Sequence, residues 1–161
     1  MTFNKQIVVI GSSKANKKLY KTALEVGREI AKNKHILVCG GKEGVMEAVC
    51  KGAKENNGVT IGITPDLTGK EGNKYLDIVI PTGMGYSRNY IVQSSANVII
   101  MIGGSYGTLS ELAYALQHNK KVISLKSSWS NIDKKIIKAK NPKDAVQRAV
   151  KFLNGWFYYP E

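Results

Sequence analysis

The stretch "VIIMIGGSYGTLSELAYAL", residues 98–116, joins an unbroken apolar run to a helix-like pattern through one glycine-rich turn. A strand with one face in water alternates apolar and polar residues. An uninterrupted run such as 97–102 fits a strand covered on both faces. The pattern then changes to helical spacing over 108–118, with Thr108 and Glu111 in its first turn. A buried strand followed at once by an amphipathic helix is the repeating unit of a parallel sheet.

That unit recurs in both directions. "QIVVI" (6–10) is a strand, followed by a helix over 16–32 with Leu19, Ala23, Val26 and Ile30 on one face. "HILVC" (35–39) precedes a helix over 44–56, and "VTIGI" (59–63) and "LDIVIP" (76–81) are further strands. A helix over 86–95 leads into 97–102, and "KVISL" (121–125) is a strand. Asn141 before Pro142 reads as an N-cap with proline at the first helical position, opening a helix to about residue 153. The fold class is therefore α/β, a Rossmann-like doubly wound parallel sheet in a three-layer α/β/α sandwich, with residues 1–161 as one domain. Residues 64–75 and 126–140 are the longest irregular stretches, and the first is a candidate lid.

The chain has 161 residues, 43% of them hydrophobic, which suits one globular core. Its 24 basic and 12 acidic side chains give a formal net charge of +12. Lysines group at Lys14, Lys17, Lys18 and Lys21 and again at Lys134, Lys135, Lys138 and Lys140. No basic motif interleaved with aromatics, RNA-binding signature or zinc-finger spacing accompanies them. A solvated lysine surface that attracts small anions is the expectation, and a nucleic-acid partner is not. Cys39 and Cys50 lack CxxC spacing and read as reduced thiols. His35 and His118 have no acidic or thiol partner at ligand spacing, so no metal site is expected. No run reaches transmembrane length or forms a signal peptide, and a cytoplasmic location without membrane attachment is expected. The tail Trp156, Phe157, Tyr158 and Tyr159 is a candidate cover for the core or a contact between copies of the chain.

In a parallel sheet the loops leaving the carboxyl ends of the strands share one edge, where ligands bind. Four of those loops are rich in glycine or small polar residues: Gly11–Ser13, Gly40–Gly44, Pro81–Gly85 and Gly103–Thr108. Glycine lets backbone approach a ligand closely, and a helix start presents unpaired N–H groups to an anion. A phosphorylated small molecule is the expected ligand. "GGKEGVM" is not a P-loop, and "GSSKANKK" after the first strand lacks GxGxxG, so neither ATP hydrolysis nor simple dehydrogenase chemistry is indicated.

"CGGKEGVMEAV" (39–49), "GMGYSRN" (83–89) and "GGSYGTLSE" (103–111), in that order, resemble the Lonely Guy (LOG) phosphoribohydrolase superfamily. The variants resemble a divergent branch that is similar to the molybdenum cofactor carrier proteins. Lysine decarboxylase is an older label for the superfamily, but no lysine is set among partners for pyridoxal phosphate. Gly40, Gly41, Gly44 and Met46 match the first motif, with Cys39 in place of its leading glycine. The resemblance implies that Arg88 and Glu111 are the catalytic pair and that Gly104, Ser105, Tyr106, Gly107 and Thr108 hold the phosphate. Gly11, Ser12, Gly40, Gly41, Met84 and Asn89 would complete the ligand site. Gly103 stands for the family's proline, Ser105 for a glycine and Asn89 for the lysine after the arginine. The implied ligand is a nucleoside 5′-monophosphate cleaved to free base and ribose 5-phosphate, or a phosphorylated cofactor such as molybdenum cofactor that is bound without turnover. No cofactor is required for the cleavage, and assembly as a homo-oligomer, a dimer or larger, is implied too.

Breaking an N-glycosidic bond places positive charge on the ribose, which a nearby carboxylate stabilises, and a carboxylate also activates water. Glu111 suits either task, and Arg88 suits the phosphate or the orientation of Glu111. Tyr86 is a candidate to stack on a base. Thr108 and Glu111, three residues apart, also have the spacing of a capping box, a role compatible with catalysis.

Overall fold

The computed structural model describes residues 5–96 and 98–155; the aromatic tail lies outside them. Seven parallel strands run β1 (Gln6–Gly11), β2 (Ile36–Cys39), β3 (Thr60–Thr64), β4 (Ile78–Pro81), β5 (Val98–Ile102), β6 (Lys121–Leu125) and β7 (Ile137–Lys138). Five α-helices join them: α1 (Lys17–Lys32), α2 (Val45–Lys54), α3 (Asn89–Ser94), α4 (Tyr106–Gln117) and α5 (Pro142–Gly155). The order across the sheet is β4-β3-β2-β1-β5-β6-β7. This is the three-layer Rossmann-like sandwich expected from the apolar runs.

Alternate residues of the central strands feed two cores. Ile7, Val9, Ile100 and Ile102 pack with α1, α2 and α5 on one face. Val8, Ile10, Ile99 and Met101 pack with Val92 of α3 and with Leu112 and Ala115 of α4 on the other. Fully apolar strands are the consequence of burial on both sides. Asn16 caps α1 by accepting the Leu19 N–H at 2.9 Å, and Asn141 caps α5 by accepting the Asp144 N–H at 2.9 Å. Chain connections part between β1 and β5, so loops from opposite faces leave a crevice at the carboxyl edge.

Several elements differ from the sequence reading. The 86–95 helix is a 3-10 turn, Gly85–Arg88, followed by the six-residue α3. The stretch 126–140 holds a 3-10 turn, Ser128–Asn131, and the two-residue β7, too short to show a pattern. Strand β4 is apolar yet uncovered, with Ile78, Val79 and Ile80 between 37% and 47% exposed. Residues 64–75 are not a loose lid. The Asn73 backbone N–H and side-chain amide both donate to the Gly41 carbonyl, at 2.8 and 3.1 Å, and Lys42 pairs with Glu71 at 2.6 Å.

Helices α1 and α2 meet backbone to backbone. A Cβ on Gly52 would stand 1.9 Å from the Leu24 carbonyl oxygen, and one on Gly27 would stand 2.0 Å from that of Val49. Neither obstacle is the movable end of a side chain, so the helices themselves must separate. Gly52→Ala is expected to lower unfolding stability by about 2 kcal/mol or more. Urea denaturation measures this, and an unchanged midpoint would contradict the close crossing.

Candidate functional site

The 520 Å³ cleft at the carboxyl edge is lined by Gly11, Ser13, Lys42, Met46, Tyr86, Arg88, Asn89, Ser105, Tyr106, Gly107, Thr108, Ser110 and Glu111. Its floor is the start of α4. This helix begins two residues before the sequence-predicted position, with Ser105 as N-cap. The Ser105 N–H donates to Thr108 Oγ1 at 3.3 Å, so the capping pair is Ser105 with Thr108, not Thr108 with Glu111. The first-turn N–H groups, beginning with Tyr106 and Gly107, have no carbonyl four residues back within the helix and face the cleft. They carry the positive end of the helix dipole.

The turn that aims them is tightly held. The Gly104 N–H donates to Ser12 Oγ at 3.0 Å, joining the β5 loop to the β1 loop. Gly104 has φ +149, and a Cβ there would meet Trp129 Cδ1 at 2.6 Å, so only glycine fits beneath that indole. Ser12 and Gly104 therefore brace the cleft without lining it.

Glu111 lies in the second turn of α4, is nearly fully buried and lines the cleft. Burial pushes its carboxyl from 4.5 up to about 8, against the pull of nearby Arg88. Its location rules out the simple helix-start role, because it lies beyond the first turn. Arg88, also buried, donates from Nη2 to the Gly40 carbonyl at 3.0 Å and from Nη1 to Asn89 Oδ1. Its Nε is buried without a partner among the described residues. Burial lowers the Arg88 pKa, and the charge of Glu111 opposes that shift. Asn89 in turn donates from Nδ2 to Ser110 Oγ at 3.0 Å, fastening the Arg88 turn to α4.

The structure thus gathers Glu111, Arg88, Asn89, Gly11 and Ser105–Thr108 at one cleft. Gly40 and Gly41 sit behind it: a Cβ on Gly40 would strike Arg88 Nη2 at 2.8 Å, and the Gly41 carbonyl holds Asn73. Met84 is half exposed and outside the lining. Ser13 and Lys42, from two of the expected ligand loops, and Met46, from the first motif, line the cleft as well, and so does Ser110, which the sequence reading did not single out. Ser110 was legible from helical spacing, since residues three and four after Tyr106 and Gly107 share their face. Cys39 and Cys50 are buried, with their sulfurs 3.6 Å apart.

Seven parallel strands with a helix start exposed at the switch point define a Rossmann-like α/β protein with its cleft at the carboxyl edge of the sheet. Residues 4–152 match the SLOG cluster4 family, and the chain belongs to it. An uncharacterized protein of Archaeoglobus fulgidus is 45% identical over 124 residues, covering 75% of this chain and 80% of that one. A cytokinin riboside 5′-monophosphate phosphoribohydrolase of Mycobacterium tuberculosis is 30% identical over 135 residues, 78% of this chain and 72% of the enzyme. The solved molybdenum cofactor binding protein of Rippkaea orientalis superposes with a TM-score of 0.89 at 32% identity, over 95% of this chain and 99% of that one. The molybdenum cofactor carrier protein of Chlamydomonas reinhardtii superposes with a TM-score of 0.83 at 31% identity, over 94% and 99% of the two chains. Among the described residues no helix is long and apolar enough to cross a membrane.

A carboxyl whose pKa rises on folding favours the folded state at low pH. That stability is fully present below about pH 4.5 and is lost as pH rises through about 8. Glu111→Gln is therefore expected to match the parent near the lower limit and to gain on it toward the upper one. The gain should be at most about 1.4 kcal/mol per pH unit. Urea denaturation of both proteins across that window measures it, and an offset independent of pH would refute a neutral buried carboxyl.

Proposed function

We propose that the chain binds a nucleoside 5′-monophosphate, or a related phosphorylated ligand, and hydrolyses its N-glycosidic bond to free base and ribose 5-phosphate. The observation that carries this reading is a buried, proton-retaining Glu111 beside the unpaired N–H groups of α4, in one cleft. The phosphate rests on the first turn of α4, cradled by Ser105–Thr108 with the unpaired N–H groups of Tyr106 and Gly107 toward it. Arg88, which lines the same cleft, orients the sugar phosphate. Glu111 begins as the acid and donates its proton to the departing base. The carboxylate left behind then faces the positive ribose. Water adds to the anomeric carbon and returns a proton to Glu111. One water is consumed, and no cofactor is needed.

A second reading is binding or carriage of a phosphorylated cofactor such as molybdenum cofactor, without turnover. It is supported by the likeness to the two molybdenum cofactor proteins. Asn89 supports it too, because it clamps Arg88 to α4 where the Lonely Guy enzymes have lysine. The same α4 N–H groups and the Arg88 charge beside them suit the phosphate of such a group. We propose with either reading a cytoplasmic protein, residues 1–161 forming one domain, with a small molecule as its partner. We also propose a homo-oligomer, for which the uncovered apolar edge of β4 is the support.

Incubation with a panel of nucleoside 5′-monophosphates, followed by chromatography of released base, tests the primary reading. Release by the parent is expected to fall as pH rises through about 8, where Glu111 loses its proton. Glu111→Gln is expected to lower it by about a hundredfold or more. Saturable binding without release by either protein would reject hydrolysis in favour of carriage.

A further inference from the structure

We infer that Tyr86 and Tyr106 are the recognition walls for a planar heteroaromatic group carried by the phosphorylated ligand. This rests on the phosphate-binding reading above and adds what the cleft selects beyond phosphate. Both residues line the cleft, yet Tyr86 is 88% exposed and Tyr106 is 84% exposed. Neither ring stacks on another ring among the described residues, whereas Tyr90 packs edge-to-face on Tyr114 with centroids 5.2 Å apart. No hydrogen bond holds either hydroxyl among the described residues. Two large rings that contribute so little to the fold stand at the mouth of a polar cleft.

Their positions in the chain make them suited to a ligand. Tyr106 is the first residue of α4, so its backbone belongs to the phosphate cradle while its ring projects at the rim. Tyr86 lies in the 3-10 turn two residues before Arg88. A phosphate seated between these elements leaves its attached group beside aromatic faces. Aromatic side chains stack on every nucleobase with little dependence on sequence, because each base has a π-face. The ligand class is therefore a phosphate ester bearing a flat heterocycle, and a sugar phosphate alone satisfies only part of the site.

The test compares dissociation constants of adenosine 5′-monophosphate and ribose 5-phosphate by isothermal titration, for the parent, Tyr86→Ala, Tyr106→Ala and the two phenylalanine variants. The preference of the parent for the nucleotide over the sugar phosphate is expected to shrink about tenfold in each alanine variant. The phenylalanine variants are expected to keep it. An unchanged preference in both alanine variants would overturn the proposal. So would an unchanged preference together with loss of assembly in light scattering, which would make the rings contacts between copies of the chain. Failure of the parent to bind either ligand would instead overturn the phosphate reading, and the aromatic walls with it.

Discussion

A single hydrogen bond, from the Gly104 N–H to Ser12 Oγ at 3.0 Å, closes the seam on which the cleft depends. It spans β1 and β5, the neighbours between which the chain changes direction across the sheet. Helices following β1 and β2 cover one face, and α4, following β5, covers the other. Their loops separate at this seam, and without a tie the first turn of α4 would be free to swing. Trp129 presses on Gly104 from the far side, so the turn is held from two directions. The free N–H groups of α4 are thereby fixed in orientation before any ligand arrives, which removes an ordering cost from binding.

Two ionisable groups are buried against that fixed floor, and they are treated differently. Arg88 keeps its charge by donating to the Gly40 carbonyl and to Asn89, and the glycine at position 40 leaves room for the guanidinium. Glu111 receives no comparable donors among the described residues, and burial turns it toward the neutral acid. A well-packed apolar side chain in its place would avoid this penalty. An ionisable group buried at that cost inside a cleft is the candidate on which the proposed chemistry rests.

The sheet and its order of strands and helices were legible because burial on both faces leaves runs of β-branched residues without alternation. The glycine turns were legible as well, since a strand that feeds a helix across a sheet edge needs a sharp turn. Less visible were features decided by neighbours distant in sequence. Nothing in "GGSYGTLSE" shows that α4 starts at Tyr106 rather than Thr108, because Ser105 and Thr108 have equal claims to cap it. That difference of two residues moves Glu111 from the first turn to the second. Ser12 and Gly104 have the composition of ligand loops, yet they contact each other instead. The exposure of β4 was hidden too, since its apolar sequence is what a covered strand shows and no helix arrives to cover it.

Hydrolysis and carriage make the same demand on Glu111 before any reaction begins. A phosphate on the first turn of α4 brings negative charge close to the second turn. An ionised Glu111 would repel it in a site with little water to screen the two. The neutral acid removes that repulsion, and the bound phosphate in turn raises the pKa of Glu111 further. In the proposed complex ligand binding and proton retention therefore reinforce each other, whatever follows. In a carrier the proton simply stays. In a hydrolase it is the proton the departing base requires, delivered to the site by the same electrostatics that admit the phosphate.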